Sequence, residues 1–360
     1  MERLATVAVS MPCGMIFCLT GILVNIIQAA CFLIYMACFK KYIQKDRWSG
    51  NRHIVLASDI FSGLVRIHAD LETLEVIGKE KALVMPNHTC DADVLMMWLL
   101  AERFNCLRGA LMVMKKSSKY LPIYGWANWF NGAVFLDRNW AKDEGKLKSS
   151  FQELKDFPIS FWLTIFVEGT RMTPDKLLAA QEFAISKGFP VPRNVLIPRT
   201  KGFVSAVQYM RSFVPAVYDV TVAVPKGHPI PSVKGFLRKQ PSVVHFHIKR
   251  YAMNEFVAKD AMLDKFRANG TFDGKESRDL RIPPKEVIDC CHLALPASIS
   301  IGAILLIRRF SLLSNWKGIS SLAFAVAFDA ILMYTFIEYT KLPEQGKVQA
   351  RNGQVVKLIH

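Results

Sequence analysis

The sequence predicts an α/β domain, with a mainly parallel sheet flanked by helices, held between membrane helices at both ends of the chain. Long apolar stretches without charged residues lie near both termini. Between them, short apolar runs alternate with helical patterns, the order that builds a parallel sheet. Polar clusters directly follow several of these runs, at the position where α/β proteins hold their functional groups.

The composition limits the partners that the chain can have. Its 46 Lys and Arg residues exceed its 30 Asp and Glu residues by 16. Such an excess suits nucleic acid, an anionic membrane surface or small phosphorylated substrates. The apolar stretches favour the last two, and no motif of a nucleic-acid reader is present, so we expect no nucleic-acid partner. The eight cysteines are spaced neither as a disulfide framework nor as a zinc site, which indicates a reducing, cytosol-facing domain.

The amino-terminal stretch is long enough to cross a bilayer. Leu4–Phe39 contains no charged residue, and it exceeds the roughly 20 residues that one span needs. One tilted span and a helical hairpin lying partly in the interface both fit this pattern. Basic residues follow between Lys40 and Arg52, which by the positive-inside rule places the central domain in the cytosol.

The carboxy-terminal region holds two further apolar runs, Cys290–Ile307 and Ile319–Ile337. The link between them is basic, so two full spans would put positive charge in the lumen, and a shallow re-entrant hairpin fits equally well. Asp329 interrupts the second run, and we interpret it as a residue at the wet edge of such a hairpin. The predicted organisation is a membrane segment at 1–45, a globular domain at 46–286, a membrane hairpin at 287–340 and a polar tail at 341–360.

The central domain shows the alternation of an α/β fold. The predicted strands are Ala82–Met85, Ala133–Leu136, Leu163–Val167, Val195–Ile197, Val220–Val224 and Val243–Ile248. Helical patterns lie at Val94–Phe104 and Lys146–Leu154. Since the carboxyl ends of parallel strands meet at one edge of a sheet, the polar clusters after these strands should lie close together.

The first polar cluster pairs a histidine with a carboxylate. His88 follows a predicted strand, and Asp93 lies five residues later, in the first turn of a predicted helix. In this arrangement the carboxylate can hold one ring nitrogen and leave the other as a general base. No nucleophilic Ser or Cys motif accompanies the pair, so direct attack by a substrate hydroxyl is the expected mechanism. A histidine that merely caps the helix is the alternative, and Asp91 is a second candidate for the orienting carboxylate.

Three further clusters each contain an arginine shortly after a predicted strand. Gly132–Arg138 ends a strand in an arginine, and Phe166–Arg171 ends one in Glu, Gly, Thr and Arg. The glycine of the latter lets backbone N–H groups approach an anion, and its arginine can grip phosphate with two hydrogen bonds. In the last cluster, Pro198 is followed by Arg199 and Lys201, which suit the phosphates of coenzyme A or lipid headgroups. Solvated surface turns are the alternative for each cluster taken alone.

Two histidines on a later strand are weaker candidates. His245 and His247 alternate along the chain, so they share one face of a strand and could bind a metal. No third ligand is placed nearby, and a half-buried strand explains them better. We therefore predict no metal site.

The ordered set of clusters resembles the motifs of the glycerolipid acyltransferase family, which read NHxxxxD, GxxFxxR, EGTR and an apolar strand ending in proline. Longer segments, KKSSKYLPIYGW, FLDRNWAKDE and NVLIPRTKGFVSAV, are similar to the plant microsomal 1-acyl-glycerol-3-phosphate acyltransferases. This similarity covers nearly all of the chain from Met11 to about Tyr339. One departure is that those proteins read NHRSDIDW where this chain reads NHTCDADV, which leaves the acyl and acceptor preference open.

The resemblance implies an acyl transfer on the cytosolic face of the endoplasmic reticulum membrane. His88, oriented by Asp93, deprotonates the sn-2 hydroxyl of lysophosphatidate, which attacks the acyl-CoA thioester and releases phosphatidate and CoA. The residues that resemble the acceptor-binding motifs are Gly132, Arg138, Glu168, Gly169, Thr170 and Arg171. Lys116 corresponds to a lysine near the reaction centre, and Pro198 to the motif on the acyl-donor side.

These roles carry two expectations and leave two alternatives. Acyl-CoA is a co-substrate and no cofactor is expected. We also expect His88 and Arg171 to share one cavity. The alternatives are an acyltransferase for glycerol 3-phosphate or a lysophospholipid, and a non-catalytic copy that only binds membrane.

Overall fold

The computed structural model describes residues 63–121, 124–232, 235, 240 and 242–256, the backbone of 278–280, and six separate positions between 316 and 334. The chain divides into two compact units, Met1–Ser300 and Ile301–His360. The sheet belongs to the first unit. The six positions described in the second unit are helical and exposed.

The strands of the described region form one eight-stranded sheet in the order β4-β3-β5-β2-β6-β7-β1-β8. Their bounds are β1 Gly63–Ala69, β2 Ala82–Pro86, β3 Ala110–Lys115, β4 Val134–Leu136, β5 Trp162–Thr164, β6 Ala216–Ala223, β7 Ser242–Ala252 and β8 Arg278–Leu280. The five strands from β4 to β6 in this order are mutually parallel. β7 is antiparallel to β6 and parallel to β1, and β8 is antiparallel to β1. The carboxyl ends of five neighbouring strands therefore meet at one edge.

Six α-helices connect or flank these strands in the described region. They are α1 Leu71–Val76, α2 Asp93–Arg103, α3 Tyr124–Asn131, α4 Trp140–Glu153, α5 Pro174–Ser186 and α6 Thr200–Met210. The start of α5 illustrates why a helix begins where it does. The Thr173 hydroxyl accepts a hydrogen bond from the Lys176 N–H, and Pro174 occupies the first helical position, where its missing N–H costs nothing.

The sheet has an apolar core on both faces. All five residues of β2 are buried, the pattern of a central parallel strand. On one face, Val84 belongs to a cluster that includes Trp98 of α2. On the other, Leu83 packs in a cluster with Phe151 of α4 and Phe203 of α6. Burying each such side chain contributes about 1.5–3 kcal/mol, so helices on both faces stabilise the sheet that carries the site.

Most of the predicted elements are confirmed, and one strand is wrong. β2, β4, β6 and β7 lie at predicted strands, and α2 and α4 at predicted helices. Val195–Ile197 is not a strand, because the Leu196 N–H donates to the Glu168 carboxylate instead of to a neighbouring strand. β5 ends at Thr164, three residues before the predicted end.

The predicted membrane segments lie almost entirely outside the described residues. Leu4–Phe39 and Cys290–Ile307 are not described at all, and Ile319–Ile337 is described only at single positions. The three predicted domain limits, near residues 45, 286 and 340, also fall outside the described ranges. Among the helices that are described, none is long and apolar enough to cross a bilayer.

Candidate active site

The site lies at the edge where the carboxyl ends of β2, β5, β3 and β4 meet. Asn87 fixes the chain as it leaves β2. Its buried side chain donates to the Val222 carbonyl at 3.0 Å and accepts from the Val222 N–H at 2.7 Å. The amide thus extends the pairing of β2 with β6 by one residue and sets the position from which His88 starts. Sequence reasoning gave Asn87 no structural role.

His88 and Asp93 form the predicted pair. His88 Nδ1 lies 2.7 Å from Asp93 Oδ2, because a loop of four residues returns the chain to the first turn of α2. The Asp93 side chain is 1% exposed and the His88 side chain 22%, so the carboxylate is buried while the imidazole remains open to a ligand. Phe166 packs against the ring, with centroids 4.5 Å apart. The contact is confirmed, and it selects Asp93 over the exposed Asp91 as the orienting carboxylate.

The Asp93 carboxylate is held from several sides. Oδ2 also accepts from the Cys90 N–H at 2.9 Å, and Oδ1 accepts from the Cys90 thiol at 2.9 Å and the Thr89 hydroxyl at 3.4 Å. Burial, followed by the charge of Asp93, raises the pKa of the Cys90 thiol. A buried thiol that stays protonated is a poor nucleophile, so Cys90 serves as a hydrogen-bond donor beside the pair.

Glu168 is buried beneath the site. Its Oε1 accepts from the His88 N–H at 3.0 Å, and its Oε2 accepts from the Leu196 N–H at 3.1 Å. The Met172 N–H donates to the His88 carbonyl at 2.8 Å, so both backbone groups of His88 are bound. Glu168 therefore joins the loop after β2 to the segment before α6, and a role in positioning His88 explains its burial.

One cavity of about 700 Å³ opens beside His88, a size that suits a small molecule or part of a lipid. Its cationic lining residues are Lys115, Arg138, Arg199 and Lys201, and Asp91 and Asp143 also reach it. Its apolar lining residues include Met112, Met114, Tyr124, Leu136, Trp140, Leu147 and Phe203. None of the four cations is ion-paired with a described carboxylate. An imidazole, an excess of positive charge and an apolar wall thus share one space.

Arg138 is held in an unusual backbone conformation. Its φ is 63°, in the left-handed region that costs a non-glycine residue about 1–2 kcal/mol. The buried Asp143 carboxylate holds this turn by accepting from the Asp137 N–H at 2.8 Å and the Asn139 N–H at 3.0 Å. Arg138 lines the cavity, and such backbone strain clusters at functional sites.

Several predicted substrate-binding residues are elsewhere. Gly132, with φ 83°, ends α3, where its N–H bonds the Trp129 carbonyl. Lys116 pairs with Asp137 at 2.8 Å, and this lysine is the first cause that lowers the Asp137 pKa. The Thr170 hydroxyl accepts from Lys176. None of these three residues is among the described residues that line the cavity beside His88.

Arg171 does not line the cavity beside His88, contrary to the expectation from the sequence. It adjoins Met172, which bonds the His88 carbonyl, yet it is exposed and is not among the described residues that line the cavity. The reason is the turn at Gly169, whose φ is 67° and which carries the chain past the cavity into α5. Gly169 and Pro198 do line the cavity, as does Arg199.

His245 and His247 are half-buried on β7, and His68 of β1 stacks on both rings. Burial lowers the pKa of His247 to about 4, which favours its neutral form. Within the ranges that the structure describes, no group of three or more His, Cys, Asp or Glu residues could hold a metal ion.

The fold and site fit an acyltransferase, and comparison with known proteins shows that class. The Acyltransferase family model matches residues 65–225. A 1-acyl-sn-glycerol-3-phosphate acyltransferase 2 of Brassica napus is 45% identical over 92% of this chain and 89% of its own length. The protein of that name from Arabidopsis thaliana is 44% identical over 92% and 90%, and a human gamma form is 29% identical over 75% and 77%. The chain belongs to the 1-acyl-sn-glycerol-3-phosphate acyltransferase family.

Proposed function

We propose that the chain transfers an acyl group from acyl-CoA to the sn-2 hydroxyl of 1-acyl-glycerol 3-phosphate, giving phosphatidate and CoA. The observation that carries this proposal is the cavity in which the His88 imidazole, backed by Asp93, lies with four cations that form no ion pair with a described carboxylate. A general base suits the alcohol, and the cations suit the phosphate. The names of the relatives support the same acceptor.

The proposed reaction needs one base and no covalent enzyme intermediate. His88 Nδ1 is hydrogen-bonded to Asp93. His88 Nε2 takes the proton of the acceptor's sn-2 hydroxyl while the hydroxyl oxygen attacks the carbonyl carbon of the thioester. The tetrahedral intermediate then collapses, the C–S bond breaks, and the imidazolium returns the proton to the CoA thiolate. Asp93 stabilises the positive charge on the ring throughout. The thioester is already activated, so the reaction requires no metal or redox cofactor.

The proposed binding mode divides the cavity between charge and apolar surface. Arg138, which lines the cavity, binds the acceptor phosphate. The apolar wall around Trp140 and Phe203 takes the first part of an acyl chain. Pro198 lines the same cavity and serves the acyl-donor side. Glu168 acts by holding the backbone of His88.

The proposed location is the endoplasmic reticulum membrane, with the catalytic domain facing the cytosol. Lysophosphatidate is a membrane lipid, and the apolar stretch Leu4–Phe39 followed by basic residues fits an anchor of that orientation. The net charge of +16 would favour contact with an anionic bilayer surface.

An acceptor panel tests the proposed function. Microsomes containing the chain, beside microsomes from cells without it, receive radiolabelled acyl-CoA and one acceptor: lysophosphatidate, glycerol 3-phosphate or lysophosphatidylcholine. We expect phosphatidate from lysophosphatidate, with equimolar CoA release, and much slower turnover of the other two. Faster turnover of glycerol 3-phosphate or lysophosphatidylcholine would show that the proposed acceptor is wrong. No CoA release with any of the three acceptors would favour a non-catalytic protein.

Two substitutions of Arg138 separate its backbone strain from its charge. Both Arg138→Ala and Arg138→Gly should raise the KM for lysophosphatidate, because both remove the guanidinium. Only glycine relieves the left-handed φ of 63°, so the glycine variant should be more stable than the alanine variant by about 1 kcal/mol. Thermal unfolding and acceptor kinetics of the detergent-solubilised chain measure the two effects. Equal stability of the two variants would show that the backbone at position 138 is not strained.

A further inference from the structure

We propose that Arg199 binds a phosphate group of the substrates at the His88 cavity, and that Gly169 is glycine so that the Arg199 side chain can lie across it. This inference rests on the proposed acyl transfer and assigns a specific role to Arg199, the residue that follows the proline of the fourth motif. The phosphate belongs to the acceptor or to the CoA of the donor, and the experiment below distinguishes the two.

The path of the Arg199 side chain depends on the absence of a Cβ at Gly169. A Cβ built there would lie 2.9 Å from Cδ of Arg199 and 3.4 Å from Nε. The first distance is shorter than real Cβ contacts and the second is at the lower limit of ordinary van der Waals contact, so the arginine stem lies directly on the glycine backbone. The φ of 67° at Gly169 adds a second reason for glycine, since other residues rarely adopt that conformation.

The backbone of Arg199 is anchored to the same turn. Its N–H donates to the Val167 carbonyl at 2.7 Å. Val167 lies two residues before Gly169 in the chain. Its bond to the Arg199 N–H fixes the start of the Arg199 side chain, and the contact with Gly169 fixes the middle of that side chain. The guanidinium is thus placed by two contacts with one turn, which reduces the entropy lost on binding an anion.

No described carboxylate forms an ion pair with Arg199. The residue is exposed, and within the described part of the chain no carboxylate or carbonyl oxygen bonds its guanidinium. It faces the cavity that holds His88, whereas Arg171 does not. A phosphate carried by a substrate bound beside His88 therefore meets Arg199, and a planar guanidinium can bind it with two hydrogen bonds.

The experiment measures both substrates separately on the full chain in microsomes. The variants are Arg199→Gln, Arg199→Lys and Gly169→Ala, and the control is Arg193→Gln, an exposed arginine of the same segment. One series varies lysophosphatidate at saturating acyl-CoA, and the other varies acyl-CoA at saturating lysophosphatidate. Thermal unfolding of each variant accompanies the kinetics.

Arg199→Gln should raise one of the two KM values by about tenfold or more, the effect of losing a charged hydrogen bond, with kcat within about threefold of wild type. A higher KM for lysophosphatidate assigns the acceptor phosphate, and a higher KM for acyl-CoA assigns the donor. Arg199→Lys should recover part of the loss. Gly169→Ala should raise the same KM, and should add little in the double variant, because both changes displace one guanidinium.

Two results would overturn the inference: both KM values unchanged in Arg199→Gln, or an equal rise in Arg193→Gln. If Gly169→Ala fails to fold, the Arg199 variants alone decide whether Arg199 binds a substrate phosphate. A wild-type chain that acylates none of the acceptors refutes the proposed function, whereas an active wild type with an indifferent Arg199 refutes only this inference.

Discussion

His88→Ala is expected to lower the rate of acyl transfer by about 10²–10⁴-fold, the range that a general base contributes. The substitution removes the ring whose Nδ1 bonds Asp93, while Glu168 and Met172 still hold the backbone at this position. Because the imidazole is partly exposed, its loss leaves no large buried cavity. The loss should therefore appear in kcat with little change in the unfolding temperature.

The test compares phosphatidate formation by wild type and His88→Ala at equal amounts of membrane-bound protein. His228→Ala is the matched control, because His228 is an exposed histidine in the turn after β6 and should leave turnover unchanged. Turnover by His88→Ala at the wild-type rate would refute the assigned base. A large fall in stability would instead indicate a structural role.

Local features of the site could be predicted from the sequence. The spacing of His88 and Asp93 places a loop residue beside the first turn of α2, so their contact depends only on a short stretch of chain. The strands β2, β6 and β7 were visible because their apolar residues form compact runs. In such cases sequence distance and spatial distance are nearly the same.

Features that depend on a distant partner could not be predicted. Val195–Ile197 is apolar and largely buried, as in a strand, but apolarity does not reveal which group accepts the Leu196 N–H. Likewise, the sequence offered both Arg171 and Arg199 as candidates for an anion, and the resemblance to the family favoured Arg171. The choice between them is made by the turn at Gly169, which only the folded chain shows.

The strained backbone conformation of Arg138 could not be predicted from the sequence either. A positive φ at an arginine contradicts local preference, and it is imposed by Asp143, five residues later, through bonds to the N–H groups on either side of Arg138. A carboxylate in the first turn of a helix is common for reasons of capping alone. Sequence patterns therefore gave no sign that this one shapes the site.

Glu168→Ala is expected to destabilise the domain by about 2–6 kcal/mol and to abolish most of the activity, because it leaves the N–H groups of His88 and Leu196 without an acceptor, each at about 1–3 kcal/mol. The carboxylate is 3% exposed, so water replaces it poorly. Its loss also frees the loop that carries His88 from the segment before α6. Activity should fall even at temperatures where the variant remains folded, since the imidazole then loses its fixed position relative to the cavity.

Glu168→Gln separates the two effects. Glutamine keeps the volume and one oxygen, so one of the two N–H groups retains an acceptor while the other faces an amide NH₂. We expect a stability between those of wild type and Glu168→Ala, and a partial loss of kcat at an unchanged KM. Glu153→Ala, at an exposed glutamate at the end of α4, controls for the loss of a carboxylate as such. If Glu168→Ala unfolds at the wild-type temperature, the carboxylate does not hold the two backbone segments, and its burial would need another explanation. If stability falls but the folded fraction turns over normally, Glu168 supports the fold without positioning His88.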